Sequence, residues 1–275
     1  MAKFNSKSVA FTCSSKGIAS HPLVRSFLLH HFNRELSVNP LAKSGDFIGW
    51  GYKGSGLWAR EKATKRETGN YTLFEDGFVR SLFPGYKYGQ VYSLVADRSG
   101  IYYDAKGNSD LQRFLNGDIE APEYWIAEND QAAYILELVR KGGTSKYNCH
   151  LPTDRSFEDG ILVVDQTKGD AAIQFGGIEE SDFTRMLKDA LSDNPNSIIY
   201  VKTHPDHQYR EKKSCFPNEL LENDRIQILP SNISPKECFK FCRKVYVGTS
   251  LMGMEALIHQ CEVITYGWNF YAGWG

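Results

Sequence analysis

The sequence predicts an α/β protein made of two Rossmann-like domains that face a central cleft. Short runs of β-branched and aromatic residues alternate with amphipathic helical segments along the chain. Glycine-rich turns follow most of the strand-like runs, and the alternation restarts after a polar stretch at residues 141–160. Each half is therefore expected to bury its own parallel sheet. Ligands are expected beyond the carboxyl ends of the strands.

The first half contains strand-like and helical runs in alternation. In chain order these are "SVAFTC" (8–13), "HPLVRSFLLHHF" (21–32), "DFIGWG" (46–51), "GLWAREKATKRETG" (56–69), "YTLFEDGF" (71–78) and "ENDQAAYILELVRK" (128–141). The polar stretch that follows contains Gly-Gly and Pro, which are typical of a linker. We therefore predict one domain over residues 1–150 and a second over residues 151–275.

The second half repeats the strand and helix rhythm. Its segments are "GILVVDQ" (160–166), "EESDFTRMLKDALSD" (179–193), "SIIYVKTHP" (197–205), "RIQILP" (225–230), "SPKECFKFCRK" (234–244), "VYVGTS" (245–250), "LMGMEALIHQ" (251–260) and "CEVITYG" (261–267). The last strand is followed by "FYAGWG" without a closing helix, so this domain is expected to be truncated.

Composition excludes several classes of protein. The net charge is −1 and the pI is near 6.7, which gives no overall electrostatic reason to expect nucleic acid as a partner. There is no apolar run of signal-peptide or membrane-span length, so a cytoplasmic location is expected. Cys238 and Cys242 lie four apart on a predicted helix, but no second ligand pair follows, which favours buried thiols over a zinc site.

The segment "VKTHPDHQ" (201–208) follows the strand "SIIYV" and forms the first candidate site. Ligands of open α/β sheets bind beyond the carboxyl ends of strands, where Lys202 and His204 are expected. An imidazole whose backbone is fixed by Pro205 can donate to a phosphate oxygen. A surface turn with an incidental histidine is the alternative.

The segment "GTSLMGMEAL" (248–257) forms the second candidate site, since a strand ends in Gly248 and a helix begins at once. Thr249 and Ser250 are natural N-caps, and free backbone N–H groups at a helix start bind anions. The spacing is not that of a Walker A loop. Glu255, one turn into the helix, is expected either to accept ribose hydroxyls or to be solvated.

Acidic residues mark two further strand ends. In "FEDGFVRS" (74–81), Glu75 and Asp76 point to opposite sides of an extended backbone, so one carboxylate can enter a cleft and deprotonate an acceptor hydroxyl. In "VVDQTKGDAAI" (163–173), Asp165 closes an apolar strand and can act as a nucleophile or stabilise an oxocarbenium-like centre. An ordinary loop aspartate in an Asx turn explains Asp165 equally well.

Glycine-aromatic clusters form the last group of motifs. "GWGYKGSG" (49–56) and "YGWNFYAGWG" (266–275) do not match the dinucleotide-binding pattern, which requires G-x-G-x-x-G after a strand. They suit a sugar or lipid-sugar acceptor, and they equally suit packed loops between domains.

The order of these motifs resembles CMP-sugar-using transferases of bacteria, and the longer strings resemble the capsule polysaccharide KpsC family and its β-Kdo transferase relatives. The strings that carry the resemblance are "GWGYKGSG", "LFEDGFVRS", "SLVADRSGIYYDA", "ILVVDQTKGD", "YVKTHPD" and "GTSLMGMEALIHQCEVITYGWNFYAGWG". They run from about residue 47 to the end of the chain.

This resemblance implies a GT-B fold and transfer of Kdo (3-deoxy-D-manno-oct-2-ulosonic acid) from CMP-β-Kdo with retention of configuration. Retention makes a protein nucleophile attractive, and Asp170 is preferred over Asp165. Glu75 would be the base, supported by Asp76. The remaining expected contacts to the donor come from Lys202, His204, Pro205, Gly248, Thr249, Ser250, Glu255 and, for the Kdo carboxylate, Arg80.

The resemblance also implies the partners of the protein. They are a nucleotide-sugar donor, a glycan or glycolipid acceptor, and peripheral contact with the inner face of the cytoplasmic membrane. No metal and no cofactor other than the CMP-Kdo donor are expected, because His and Lys can neutralise the leaving phosphate. The alternatives are a transferase that uses another CMP-sugar, such as CMP-sialic acid, and a non-catalytic nucleotide-binding or scaffold module.

Overall fold

Two compact units, each with one five-stranded sheet, make up the protein. The computed structural model describes residues 10–65, 69–84, 90–107, 109–121, 129–151, 153, 155–204, 207 and 213–273. The first unit consists of the described residues within Met1–Gly77, Val91–Tyr102 and Gly107–Ile126. The second unit consists of those within Phe78–Gln90, Tyr103–Lys106 and Ala127–Gly275.

The first unit is a mixed sheet with helices. Its strands are β1 (Phe11–Cys13), β2 (Leu36–Val38), β3 (Asp46–Trp50), β4 (Asn70–Asp76) and β5 (Leu94–Asp97). Its helices are α1 (Lys16–Ala19), α2 (Pro22–Phe32), α3 (Gly54–Thr64) and α4 (Asp110–Leu115). The strand order is β2-β1-β3-β4-β5, and all neighbours are parallel except β4 and β5, which are antiparallel.

The core of the first unit follows from the sequence pattern. Phe47, Ile48, Leu73 and Phe74 are fully buried, as expected of central strands whose two faces are both covered. Helix α2 begins with Pro22 at its first turn, where a missing N–H costs nothing, and ends before Asn33 in the left-handed region (φ 49°).

Glycines allow β3 and α3 to approach one another closely. A Cβ atom on Gly56 would lie 1.7 Å from the carbonyl oxygen of Gly51, and one on Gly49 would lie 2.4 Å from the Cα of Gly56. Contacts this short exclude any side chain at either position. Gly49 and Gly56 of "GWGYKGSG" are therefore required by packing within the first unit, whereas a Cβ atom on Gly54 would meet nothing within 4 Å.

The second unit is a fully parallel sheet. Its strands are β6 (Gly160–Val164), β7 (Ile198–Lys202), β8 (Ile226–Ile228), β9 (Cys242–Val247) and β10 (Glu262–Thr265), in the order β10-β9-β6-β7-β8. Its helices are α5 (Asn129–Arg140), α6 (Ala171–Phe175), α7 (Glu180–Asp193), α8 (Asn218–Leu221), α9 (Pro235–Phe241) and α10 (Met252–Ile258).

The sheet of the second unit is covered on both faces. One buried cluster contains Val163, Phe183, Met186 and Val201, and the cluster on the other face contains Leu162, Tyr200, Phe239 and Val245. Alternating residues of each strand thus enter opposite clusters. This burial explains why β6, the first four residues of β7 and the last three residues of β9 are continuous apolar runs in the sequence.

The predicted α/β class is confirmed, with two sheets that are rich in parallel strands. Two expectations were wrong: the sheet of the first unit is not fully parallel, because β5 is antiparallel to β4, and Cys242 begins strand β9 instead of continuing the preceding helix. Strands β2 and β5 were not predicted. Cys238 and Cys242 are buried free thiols, as expected. The division into domains at residues 150 and 151 stays a prediction.

The described helices are all too short or too polar to cross a bilayer. Helix α7, in the second unit, has 14 residues and carries charge on its solvent face.

Candidate functional site

The carboxyl edge of the second sheet gathers several of the predicted residues. Val164 at the end of β6 pairs with Lys202 at the end of β7 and with Val247 at the end of β9. Because these strands are parallel and in register, the segments that follow them leave the sheet at the same edge. This is the edge at which open α/β sheets bind ligands.

Asp165, directly after β6, is a buried carboxylate with an exposed fraction of 1%. Its Oδ1 atom accepts the backbone N–H groups of Gln166 (2.8 Å) and Cys215 (3.1 Å). Its Oδ2 atom lies 3.5 Å from Nδ1 of His207. Burial raises the pKa of Asp165, and the neighbouring Ser214 and His207 oppose that rise.

Asp170 caps helix α6. Its Oδ1 atom accepts the backbone N–H of Ala172 at 3.0 Å, and its backbone is extended, as is usual at an N-cap. Gly169 before it has a φ of 77°, which fixes the sharp turn out of the preceding loop. Asp170 is half-buried, whereas Asp165 is enclosed. Of the two candidate nucleophiles, Asp170 is the more accessible.

Lys202 is directed into the interior of the second unit. It is 4% exposed, and its ammonium donates to the carbonyl of Ser231 at 2.9 Å. Burial lowers the pKa of this lysine, because removal from water penalises the charged form. The ammonium thus has a structural partner here, and the predicted contact with a donor phosphate stays a prediction.

His204 lies beside two other rings. Its ring centroid is 6.3 Å from that of Tyr147 and 6.3 Å from that of His207. The backbone N–H of His207 donates to the carbonyl of His204 at 3.0 Å. Pro205, which was expected to fix this bend, lies outside the described residues.

The segment after β9 is tied to the segment after β6. Thr249 is 8% exposed, its N–H donates to Oε1 of Gln166 at 2.7 Å, and its Oγ1 accepts from Nε2 of Gln166 at 3.0 Å. Gly248 is required at this point, since a Cβ atom there would lie 2.7 Å from Oε1 of Gln166. Gln166 is a site residue that the sequence reasoning missed, because an uncharged amide gives no motif signal.

The predicted N-caps of α10 need correction. The capping position is Leu251, one residue after Ser250 and two after Thr249. The Ser250 hydroxyl still accepts the backbone N–H of Met252 at 3.2 Å, but the hydroxyl of Thr249 is engaged by Gln166 instead. The helix therefore begins at Met252, one residue later than predicted.

Glu255 is neither solvated nor open to a ribose hydroxyl. It is 6% exposed, and its Oε1 atom accepts the hydroxyl of Ser145 at 2.9 Å and the backbone N–H of Lys146 at 3.1 Å. Burial raises the pKa of Glu255 to about 7, although both hydrogen bonds oppose the rise. The carboxylate therefore fixes the 145–146 loop to helix α10.

Arg80 belongs to the second unit and lies near the same loop. It is 6% exposed, its backbone N–H donates to the carbonyl of Lys146 at 3.0 Å, and its guanidinium donates to the hydroxyl of Ser81 at 2.8 Å. The expected contact with the Kdo carboxylate stays a prediction.

Glu75 and Asp76 end strand β4 in the first unit. The indole N–H of Trp50 donates to Oε1 of Glu75 at 2.8 Å, and the backbone N–H of Asp76 donates to the same oxygen at 3.1 Å. Both side chains are half-buried, and as neighbours on a strand they face opposite sides of the sheet, as expected. Trp50 is a second residue that the sequence reasoning did not assign, and it orients the candidate base.

No group of three His, Cys, Asp or Glu side chains positioned to hold a metal ion occurs among the residues that the structure describes. The absence of a metal requirement stays a prediction.

Comparisons with known proteins agree with this architecture. Residues 45–159 and 150–275 match the family of capsule polysaccharide biosynthesis proteins. Capsule polysaccharide modification protein LipA of Neisseria meningitidis serogroup A is 36% identical over 236 residues, which are 83% of this chain and 33% of LipA. Lipopolysaccharide-processing protein LpsZ of Rhizobium meliloti is 30% identical over 210 residues, which are 73% of this chain and 46% of LpsZ. The chain thus spans about a third of LipA and less than half of LpsZ.

Two solved structures are similar in fold. The β Kdo 2,4 transferase of Thermosulfurimonas dismutans KpsC has a TM-score of 0.83 and 32% identity, covering 98% of this chain and 83% of that one. The β Kdo 2,7 transferase of the same KpsC has a TM-score of 0.65 and 27% identity, covering 97% and 81%.

Proposed function

Because the chain belongs to the family of capsule polysaccharide biosynthesis proteins, we propose that it is a glycosyltransferase that transfers Kdo from CMP-β-Kdo to a glycan or glycolipid acceptor. The observation that carries the proposal is the TM-score of 0.83, at 32% identity over 98% of the chain, with a β Kdo 2,4 transferase. The proposed fold is GT-B, with one Rossmann-like sheet in each unit.

The second unit is the proposed donor-binding unit. The carboxyl edge of its parallel sheet presents His204 and the Gly248–Ser250 segment, and this is where nucleotides bind in related α/β architectures. Gln166 holds Thr249 and so fixes the backbone of that segment before any ligand arrives. A preorganised edge lowers the ordering cost of binding the CMP group.

Asp170 is the proposed nucleophile. An oxygen of its carboxylate attacks the anomeric carbon of Kdo, and the bond from that carbon to the CMP oxygen breaks, which releases CMP. His204 donates a hydrogen bond to the departing phosphate. Asp170 suits this role better than Asp165 because Asp165 is 1% exposed and both its oxygens face protein groups.

Glu75 is the proposed base for the second step. Its carboxylate, oriented by the Trp50 indole, takes the proton of the acceptor hydroxyl as the hydroxyl oxygen attacks the glycosylated anomeric carbon. Asp170 then leaves as a free carboxylate. Two displacements restore the β configuration of the donor, so the overall reaction is retaining.

The proposed setting is capsule or lipopolysaccharide biosynthesis in the cytoplasm, with peripheral contact with the inner face of the cytoplasmic membrane. The names of LipA and LpsZ, a capsule modification protein and a lipopolysaccharide-processing protein, support this setting. The acceptor class follows from it: a Kdo residue on a glycerophospholipid primer or a sugar of an O-antigen repeat.

A transfer assay tests the proposal. The protein is incubated with CMP-Kdo generated in situ and synthetic acceptors of both kinds, and product linkage is determined by NMR. We expect a β-linked Kdo product, which the Asp170→Asn variant does not form. A parallel reaction with CMP-sialic acid tests the donor: a product from that sugar alone would overturn the Kdo assignment, and binding of CMP without any transfer would favour a non-catalytic module.

A further inference from the structure

We infer that His207, held in place by Asp165, binds the phosphate of the nucleotide donor as a second imidazole beside His204. This inference rests on the proposed function, because it assigns residues to the donor site of a nucleotide-sugar transferase. His207 would contact only the nucleotide, and not the sugar, and Asp165 acts through His207. The inference can therefore be tested by nucleotide binding, without an assay of sugar transfer.

The geometry of Asp165 is the first support. Two backbone N–H groups, from Gln166 and Cys215, hold Oδ1 and leave Oδ2 directed at Nδ1 of His207, at 3.5 Å. The Asp165 side chain is completely enclosed, and the His207 side chain is 17% exposed. This is an ion-pair distance, since Oδ2 forms no hydrogen bond with the described residues. A carboxylate so placed beside one ring nitrogen favours the orientation of the imidazole that leaves the other nitrogen for a ligand.

The second support is the other nitrogen of the same ring. Nε2 of His207 is buried, and among the described residues no atom forms a hydrogen bond with it. Buried polar atoms are almost always paired, so each exception requires an explanation. In the imidazolium form Nε2–H is a donor, and an oxygen of a bound phosphate would satisfy it.

The third support is location. His204 and His207 follow β7, their rings are 6.3 Å apart, and Asp165 follows the neighbouring strand β6. All three therefore lie at the edge of the sheet that is proposed to bind CMP. Two adjacent imidazoles form a favourable place for a multiply charged oxyanion, and the Asp165 carboxylate lies beside the ring of His207.

The test is isothermal titration calorimetry with CMP and with cytidine, which lacks the phosphate. His207→Asn keeps a donor near the Nδ1 position for Asp165 but removes the group at Nε2. His207→Gln places its amide near the Nε2 position and leaves no donor at the Nδ1 position. We expect His207→Asn to weaken CMP binding roughly tenfold, the loss typical of one charge-assisted hydrogen bond, and to leave cytidine binding unchanged. His207→Gln should retain most of the CMP affinity.

Asp165 acts through His207 and is therefore a positioning residue. Asp165→Asn should weaken CMP binding, and the double variant Asp165→Asn/His207→Asn should bind CMP no more weakly than His207→Asn alone. The matched control is His259→Gln, which alters a half-buried histidine after α10, at the end of that helix opposite Ser250. The control variant should bind CMP as the unaltered protein does.

The outcomes separate the two proposals. Unchanged CMP affinity in His207→Asn, or equal losses for CMP and cytidine, would overturn the inference and leave the proposed function standing. Binding of UMP or AMP in place of CMP, with the same tenfold loss in His207→Asn, would support the inference and overturn the donor assignment. If the unaltered protein binds no nucleotide monophosphate, both proposals are wrong.

Discussion

Gln166 and Thr249 join the ends of β6 and β9 through paired hydrogen bonds: the amide Nε2 donates to Oγ1 at 3.0 Å, and Oε1 accepts the backbone N–H at 2.7 Å. Both residues are buried. This pair holds the Gly248–Ser250 segment against the segment that carries Asp165. The two loops at the proposed donor site are therefore joined directly by hydrogen bonds.

We predict that Gln166→Ala lowers the free energy of unfolding by about 2 kcal/mol, because the N–H of Thr249 is left buried and unpaired. Urea denaturation measures the effect. Gln174→Ala, at an exposed position of α6, is the matched control and should change the free energy by less than about 0.5 kcal/mol. Equal effects of the two substitutions would contradict the structural role of Gln166.

Glu255 makes stability depend on pH. Burial raises the pKa of its carboxyl to about 7 in the folded protein, from an ordinary value of 4.5. The folded state therefore holds this proton more tightly than the unfolded state does. Its stabilising contribution is complete below about pH 4.5 and is lost as the pH rises through about 7.

We predict that Glu255→Gln reduces the fall in unfolding free energy between pH 5 and pH 8 by about 2 kcal/mol. Glutamine keeps an acceptor oxygen for Ser145 and Lys146 but does not ionise. Urea denaturation at a series of pH values measures this, with the exposed Glu222→Gln as control. A profile that Glu255→Gln leaves unaltered would contradict the prediction.

A second buried acid, Asp97, lies in the first unit. Burial, together with the charge of Asp110, raises the pKa of Asp97 to about 6. Its Oδ1 atom accepts the N–H groups of Ser99 (2.9 Å) and Gly100 (2.7 Å), and its Oδ2 atom accepts that of Asp110 (3.0 Å). This acid also contributes stability that is lost as the pH rises, here through about 6.

We predict that Asp110→Asn lowers the pKa of Asp97, because one of the two causes of its increase is removed. NMR titration of the Asp97 carboxyl carbon measures the change directly. Asp118→Asn, which alters an exposed acid of the first unit that is not among the causes of this shift, should leave the titration midpoint where it is. An unchanged midpoint in Asp110→Asn would mean that burial alone determines the Asp97 pKa.

Asp170 combines a structural role with a proposed chemical one, and the two are separable. Asparagine is as good an N-cap as aspartate, so Asp170→Asn should keep the bond to Ala172 and change the unfolding free energy by less than about 0.5 kcal/mol. Transfer activity should fall by at least about 100-fold, since an amide is a poor nucleophile. Thermal unfolding and product formation are measured on the same preparation, and a fully active variant would exclude Asp170 as the nucleophile.

The contact between β3 and α3 gives a test of packing. Gly56→Ala places a methyl group 1.7 Å from the carbonyl oxygen of Gly51, so we predict a loss of at least about 3 kcal/mol in unfolding free energy. Gly54→Ala lies at the start of the same helix, where an added Cβ meets nothing within 4 Å. It should change stability by no more than about 1 kcal/mol. Chemical denaturation of the two variants side by side provides the comparison.

The apolar periodicity of the chain was sufficient to predict most of the long elements. The apolar runs in β6, in β7 and at the end of β9 predicted strands, and the spacing in residues 179–193 predicted α7 within one residue of its bounds. The order of the acidic, His-Pro and Gly-Thr-Ser motifs identified the family. Apolar periodicity is a local property of the sequence, and the order of the motifs is a property of the sequence as a whole. Neither depends on which distant residues come into contact in the folded protein.

Tertiary structure decided the rest. Strands β2 and β5 have three and four residues, too few for a periodic signal, and form because a neighbouring strand supplies hydrogen bonds. At the start of β2, for example, the backbone N–H of Phe11 donates to the carbonyl of Glu35 at 2.9 Å. Periodicity can also predict that a residue is buried, but it does not identify the hydrogen-bond partners of the polar atoms in that residue. Glu255 is bound by Ser145, 110 positions away, and Asp165 by the N–H of Cys215, 50 positions away. A buried carboxylate is stabilised by whichever donors the fold brings to it, so only the folded chain distinguishes a structural acid from one that is open to substrate.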